Sequence, residues 1–346
     1  MTRASWLGTP VSLVTAGLQV QLRNETGRDQ ADLLRSVGSW AGAATGPSTP
    51  AVSLVLDPPR RRAGEAAGTR TVTRGVRVDA QGVVSFRSTG GSGFDQSWTV
   101  DGDGLEVRST WNPSYAELAA SRMRSRFRAL RSQVVVHYPV LWWAGTQGRA
   151  PLHVSVLEVA GTVVMLAGPG GVGKSTLVSR ELGRGARATC DNLAVCDGTV
   201  AYGLSEPLRL DTEAPGAAGA RTTHGRREHT WQPVPELTPD VVVVLRRGTE
   251  GEHRMRPTAP EVARRALVAG TMAAGELRRF WAVQAVVGLA TGSGPVLPEV
   301  EAVADQLATR LPCYELELGT PPGASLSEVL GRELGTATDD LHEAQR

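Results

Sequence analysis

The sequence predicts an α/β fold that leans towards α+β. A β-rich N-terminal domain precedes a core of mixed sheet with flanking helices. Three features carry this expectation. Short alternating apolar segments recur between residues 11 and 86. A buried strand, a glycine-rich turn and a helix follow one another over 162–182. Helical periods fill 115–133 and most of 258–311.

In the first part, Val11 to Val14, Leu18 to Leu22, Val52 to Leu56, Val76 to Val78 and Val83 to Phe86 read as strands. Turn formers separate them, notably Gly90 to Gly93 and Asp101 to Gly104. A helix is expected over Gln30 to Trp40 and an exposed charged loop over Asp57 to Gly68. Tyr115 to Gln133 has helical period. Leu118, Met123, Phe127 and Leu130 share one face, and Arg122, Arg124, Arg126, Arg128 and Arg131 form a solvated one.

From Val134 onward short apolar runs alternate with glycine-rich turns. Val134 to Val136, Leu152 to Val159, Thr162 to Ala167 and Val241 to Leu245 read as buried strands. Asp197-Gly198 joins Leu193 to Val195 with Val200 to Tyr202 as a hairpin. Thr258 to Leu289 reads as helix broken at Gly270, opened by a Thr258/Glu261 capping box with Pro260 in its first turn. Helices are expected again over Glu299 to Leu311 and Leu326 to Leu334. Trp142 and Trp143 read as core at a domain junction. The boundary falls in 112–150, which divides the chain into 1–133 and 134–346.

Composition narrows the function classes. Net charge is +2, and no dense basic tract interleaves with aromatics, so no nucleic-acid partner is expected. Three cysteines without metal-ligand pairing suit a reducing compartment. The stretch Met1 to Leu22 is broken by Thr9, Pro10 and Thr15, and no apolar run approaches a membrane span. A cytoplasmic protein with no membrane partner is the expectation.

Of 37 basic residues, one is lysine, Lys174. It lies in Gly168-Pro169-Gly170-Gly171-Val172-Gly173-Lys174-Ser175-Thr176, which fits G-x-x-x-x-G-K-[ST] between a strand and a helix. Glycines let successive backbone N–H groups turn onto phosphate oxygens. The helix start adds unpaired donors and partial positive charge. Lys174 would neutralise β- and γ-oxygens, and the Ser175 hydroxyl would ligate Mg²⁺. The later strand Asp240 to Leu245 ends in Arg246-Arg247, the wrong sign for the carboxylate that holds metal in motor ATPases. A guanine-reading Asn-Lys-x-Asp stretch would need a second lysine.

The flanks hold an acid. Asp191 follows Lys174 by 17 residues, after Arg184-Gly185-Ala186, and His153 precedes Gly168 by 15, beside Leu152 and Val154-Ser155. With Gly161 and the loop, this array resembles the HPr serine kinase/phosphorylase family. It resembles still more its stripped-down relatives from peptide natural-product clusters, including lasso-peptide clusters. The specific part spans 134–250.

That resemblance implies a fold of the phosphoenolpyruvate carboxykinase type. It implies an ATP-dependent kinase with Mg²⁺, acting on a serine or other hydroxyl of a peptide or small protein, and often oligomeric. It implies catalytic roles for Asp191, His153 and Lys174, nucleotide binding by 168–176, and metal binding by Ser175 and Asp191. The family's paired acid is here Asn192, and no counterpart of its dephosphorylation signature is visible. A kinase without phosphorylase activity is therefore implied. The N-terminal domain would position the acceptor.

Weaker candidates remain. Arg221 to His229 reads as a long loop, and its Arg226 and Arg227 could meet the transferring phosphate. Glu206 could add a metal ligand. His224 and His229 with Cys190 and Cys196 have spacing that fits no closed zinc site. Two other readings stay open: an assembly or regulatory ATPase without acceptor, motivated by Asn192, and a small-metabolite kinase.

Overall fold

The computed structural model describes residues 10–27, 50–59, 68–123, 125–211, 220–221, 226–229, 231–250, 253–320 and 325–332. The helix expected over Gln30 to Trp40 lies outside them. The chain folds as two compact units of interleaved segments. One holds 1–149, 205–232 and 275–298; the other holds 150–204, 233–274 and 299–346. No single position separates them, unlike a cut between 133 and 134, and residues 134–149 belong with the first.

The first unit is built on an eight-stranded sheet: β1 (Val11–Thr15), β2 (Leu18–Asn24), β3 (Val52–Asp57), β4 (Arg70–Thr73), β5 (Val76–Val78), β6 (Val84–Phe86), β7 (Phe94–Asp101) and β8 (Gly104–Trp111). Their order is β1-β2-β3-β8-β7-β6-β5-β4. β3 lies parallel between β2 and β8, and the other pairs are antiparallel. Alternation decides the faces: along β2 every second residue, Leu18 to Asn24, is buried. β7 and β8 show the same alternation but were not read as strands from the sequence.

Helices α1 (Tyr115–Met123) and α2 (Ser125–Ser132) lead into a π-helical turn, Gln133–His137, and then α3 (Tyr138–Thr146). The strand expected at Val134 to Val136 is therefore helical. Those valines are at most 1% exposed, and a short apolar run does not separate strand from buried helix. The β7 side chain Gln96 donates to the Val134 carbonyl at 3.1 Å. Trp142 is fully buried edge-on to Trp98, 5.9 Å between centroids, so the tryptophan pair is core of this unit. Arg131 is not simply solvated: its guanidinium stacks 4.4 Å from the Trp111 ring.

His137 is buried, and its Nε2 lies 3.1 Å from the Ser205 carbonyl, which can only accept. Burial, with the Arg209 charge, lowers its pKa to about 4. The unfolded chain therefore takes up this proton near pH 6.5 and the folded chain near 4. Stability is full above pH 6.5 and falls as pH drops towards 4, by roughly 3 kcal/mol. Urea melts of His137→Gln, which keeps a donor and loses the titration, are expected to show a flatter pH dependence over that window than the parent.

The second unit begins with β9 (Ala150–Leu152), β10 (Ser155–Val159) and β11 (Thr162–Ala167). Leu152 to Val159, expected as one strand, is two strands in different sheets with His153 and Val154 between them. Helix α4 (Lys174–Leu182) follows, then β12 (Arg187–Cys190), β13 (Ala194–Cys196) and β14 (Ala201–Gly203). β15 (Leu208–Asp211), β16 (Ala220–Arg221) and β17 (Arg226–His229) form a small sheet of the first unit. The second unit resumes with β18 (Glu236–Leu237), β19 (Val241–Glu250), β20 (Arg254–Pro257) and helix α5 (Pro260–Met272). Helix α6 (Arg278–Thr291) belongs to the first unit; α7 (Val300–Arg310) and β21 (Cys313–Thr320) complete the second. Residues 326–332 are helical.

The main sheet of the second unit has the order β12-β10-β11-β19-β21-β20, and β9, β13, β14 and β18 form another. β11, β19 and β21 are parallel. β10 runs against both β11 and β12, so β12 ends at the same edge as β11. The fold is thus mixed α/β with flanking helices and a β-rich N-terminal part. Among the described residues no helix is long and apolar enough to cross a membrane.

Two local expectations change. The helical break falls at 273–277, and Gly270 lies inside α5. The Thr258 capping box does not form: Ala259 caps α5 without a side-chain bond, and Glu261 instead takes Arg264 and Arg265. Gly203 marks a tight approach, since a Cβ there would stand 1.9 Å from the Thr189 carbonyl oxygen. Backbone cannot yield cheaply, so Gly203→Ala is expected to destabilise the second unit by about 3 kcal/mol or more, read from its urea midpoint.

Candidate functional site

The expected glycine-rich loop leaves the C-terminal end of β11 and enters α4 at Lys174. Its glycines are required by geometry. Gly168, Gly171 and Gly173 have φ of 147°, 78° and 124°. A Cβ on Gly173 would meet Leu318 Cδ1 at 3.0 Å, and one on Gly168 would meet the Leu245 carbonyl oxygen at 3.1 Å. Gly173 caps α4 and no side chain bonds its first turn, so its leading N–H groups face the loop without a capping group.

Lys174 is 5% exposed, and its ammonium donates to the carbonyls of Gly168 at 2.8 Å and Pro169 at 3.3 Å. Three converging donors on a thin stem suit this nest of carbonyls; a planar guanidinium would not. Ser175 is half-buried and Thr176 exposed.

Asp191 lies at the bend that follows β12 and is 3% exposed. The register Val156↔Cys190 and Ser155↔Leu166 sets it level with the root of the loop, two strands from β11. At strand spacing that separation is about 10 Å between backbones. The Ser155 hydroxyl donates to the Asp191 carbonyl, which fixes the bend. Gly185, φ 92°, ends α4 and returns the chain into β12, the part played by the Arg184-Gly185-Ala186 segment.

His153 closes the gap. It is 6% exposed, its backbone N–H donates to Thr271 Oγ1 at 3.0 Å, and its Nε2 lies 3.0 Å from Asn192 Oδ1. Either Nε2–H donates, or the amide turned over donates to a bare Nε2. A Cβ on Gly270 would stand 3.3 Å from the Gly168 carbonyl oxygen and 3.9 Å from His153 Nδ1. The loop root, His153, Asn192 and Asp191 therefore share one edge of the main sheet. The residue expected to break α5 is the one that lets this helix approach so closely.

No family model and no curated protein matches this chain. Among solved structures it is similar to the HPr(Ser) kinase/phosphatase from Coxiella burnetii. Identity is 10%, the TM-score is 0.25, and the match covers 56% of this chain and 94% of that one. A likeness that slight transfers neither fold nor function.

Sequence reasoning missed Arg247. Its Nη2 donates to the Gly171 carbonyl at 2.6 Å from within β19, three residues past the last rung of that strand with its parallel neighbour β11. The signal was visible as a cation where a carboxylate was sought. A carbonyl held outward turns the next N–H of the trans peptide, that of Val172, the other way, where it donates to the Pro169 carbonyl at 3.3 Å, so Arg247 braces the loop apex.

Other candidates fall elsewhere. Arg226 and Arg227 belong to β17, paired with Asp211 and Leu210, so this part of the expected long loop is strand. Their side chains lie outside the described residues. Glu206 is 4% exposed in the first unit, 3.7 Å from Arg209. Among the described residues no group of three or more His, Cys, Asp or Glu could hold a metal. Mg²⁺ needs no such cage, since it commonly takes one or two protein oxygens with substrate phosphates.

Proposed function

We propose that this chain is an ATP-dependent kinase that uses Mg²⁺ and transfers the γ-phosphoryl group to a hydroxyl, that of a serine in a peptide or small protein. The observation that carries the reading is the convergence of the loop root, His153 and Asp191-Asn192 on one sheet edge. Loop amides and the α4 start hold the polyphosphate, and Lys174 moves from loop carbonyls to the β- and γ-oxygens. Ser175 and Asp191 would supply hard oxygens for Mg²⁺, which when bound would neutralise charge on the phosphates.

The acceptor hydroxyl gives its proton to the Asp191 carboxylate as its oxygen bonds the γ-phosphorus. The bond to the β–γ bridging oxygen breaks and ADP leaves. His153 orients Asn192 and so shapes the bend that carries Asp191. Arg247 holds the loop apex in shape through the Gly171 carbonyl.

The test uses labelled ATP, Mg²⁺ and a serine-peptide library with alanine twins. Label on serine peptides alone supports the reading; ATP binding without transfer to any acceptor counts against it.

A further inference from the structure

A second feature lies at the far end of the same sheet. β20 is its last strand among the described residues, so one side of its backbone has no neighbouring strand there. Arg254 and Arg256 are two apart on β20 and share a face. The register sets Arg254 opposite Glu317, Arg256 opposite Glu315, and Arg246 of β19 also opposite Glu317. Glu315 is paired with Arg246 and takes Arg256 Nη2 at 2.8 Å.

Arg246, Arg254, Arg256 and Arg332 line one cavity of about 730 Å³ with Glu315 and Glu317. Four cations against two anions leave +2. His253, also in the wall, has its pKa lowered by burial and by Arg180, and adds no charge at neutral pH. The Arg246 and Arg256 side chains stay 59% and 75% exposed. Each guanidinium carries five N–H donors, of which Glu315 occupies a minority.

The spacing selects the ligand. Same-face arginines stand about 6.8 Å apart along β20 and about 9.6 Å apart across two strands. Glu315 already bridges Arg246 and Arg256, so a carboxylate is a group that this array takes. An extended peptide repeats its side chains at the same interval of about 6.8 Å, so acidic residues at alternate positions match it, while its backbone pairs with the open side of β20. The array shares its strands with the neighbours of the phosphate loop, on the opposite face: Arg247, next to Arg246, bonds Gly171, and Leu318, next to Glu317, lies against Gly173.

We infer that the β20 edge binds an extended peptide with Asp or Glu at alternate positions, as the docking flank of the acceptor. The word acceptor rests on the kinase reading; the peptide binding does not.

The experiment uses the full chain and fluorescein-labelled peptides with alternating Glu, Gln or Lys, read by anisotropy. The Glu peptide is expected to bind, with affinity that falls as salt rises. The double variant Arg254→Glu/Arg256→Glu is expected to weaken it about tenfold or more and to gain the Lys peptide. Its nucleotide binding should stay intact, which confirms that it folds. Lys174→Ala should keep peptide binding, so failure of the kinase reading is visible separately, as bound peptide without transfer.

Three outcomes overturn the inference. One is Glu and Lys peptides that bind alike. Another is no peptide binding, with the arginines serving only to keep the edge from pairing with other sheets. The third is displacement of the Glu peptide by free phosphate at equal concentration, which marks a small-anion site.

Discussion

Lys174→Ala is expected to abolish the stabilisation that the proposed Mg-ATP binding would give this chain. A ligand at 100 times its Kd stabilises the folded state by about 2.7 kcal/mol. That is a rise of roughly 5–10 °C in the melting of a unit this size. The effect is expected in the parent and absent in the variant when melts are run with and without Mg-ATP. Lys174→Arg is expected to fail almost as badly. The ammonium sits in a nest formed by the Gly168 and Pro169 carbonyls, which a planar fork does not fit. An arginine variant that keeps the full shift would show that charge alone suffices there.

Asp191→Asn separates the kinase from a nucleotide-binding switch. The substitution preserves shape, leaves an amide oxygen that can still ligate Mg²⁺ and removes the base, so ATP-dependent stabilisation should persist within a few-fold in affinity. Transfer to a serine peptide should fall by about 10²–10⁴, the usual contribution of a positioned proton acceptor. The reading that Asn192 favours, an assembly factor that turns over slowly, expects the reverse: biological function intact with Asn at 191. The kcat of this one variant, measured with its ATP affinity, decides between them.

Much of the site was legible because its motif is local. The loop, Lys174, Ser175 and the strand and helix around them follow from nine consecutive residues, and their physics is backbone geometry. Asp191 and His153 were named only through a family resemblance at matched spacing, and the register of β10 with β11 and β12 is what brings them to one edge.

Arg247 and Gly270 were misread because their roles arise only from pairing and packing. Arg247 matters through the parallel β11–β19 ladder, and Gly270 through the approach of α5 to Gly168. Val134 to Val136 were misread for a related reason. β-branched residues favour strands locally, but burial on all sides suits a helix equally well. The interleaved segments of the two units were not read from the sequence, because contacts between residues far apart in the chain define them.

The most direct test of the account is a structure of the chain with Mg²⁺ and a non-hydrolysable ATP analogue. The account expects the Asp191 carboxylate within hydrogen-bond reach of the attack side of the γ-phosphate, at about 3 Å or through one water, with Lys174 on the β- and γ-oxygens. A γ-phosphate that faces away from Asp191, with no water between them, would contradict it.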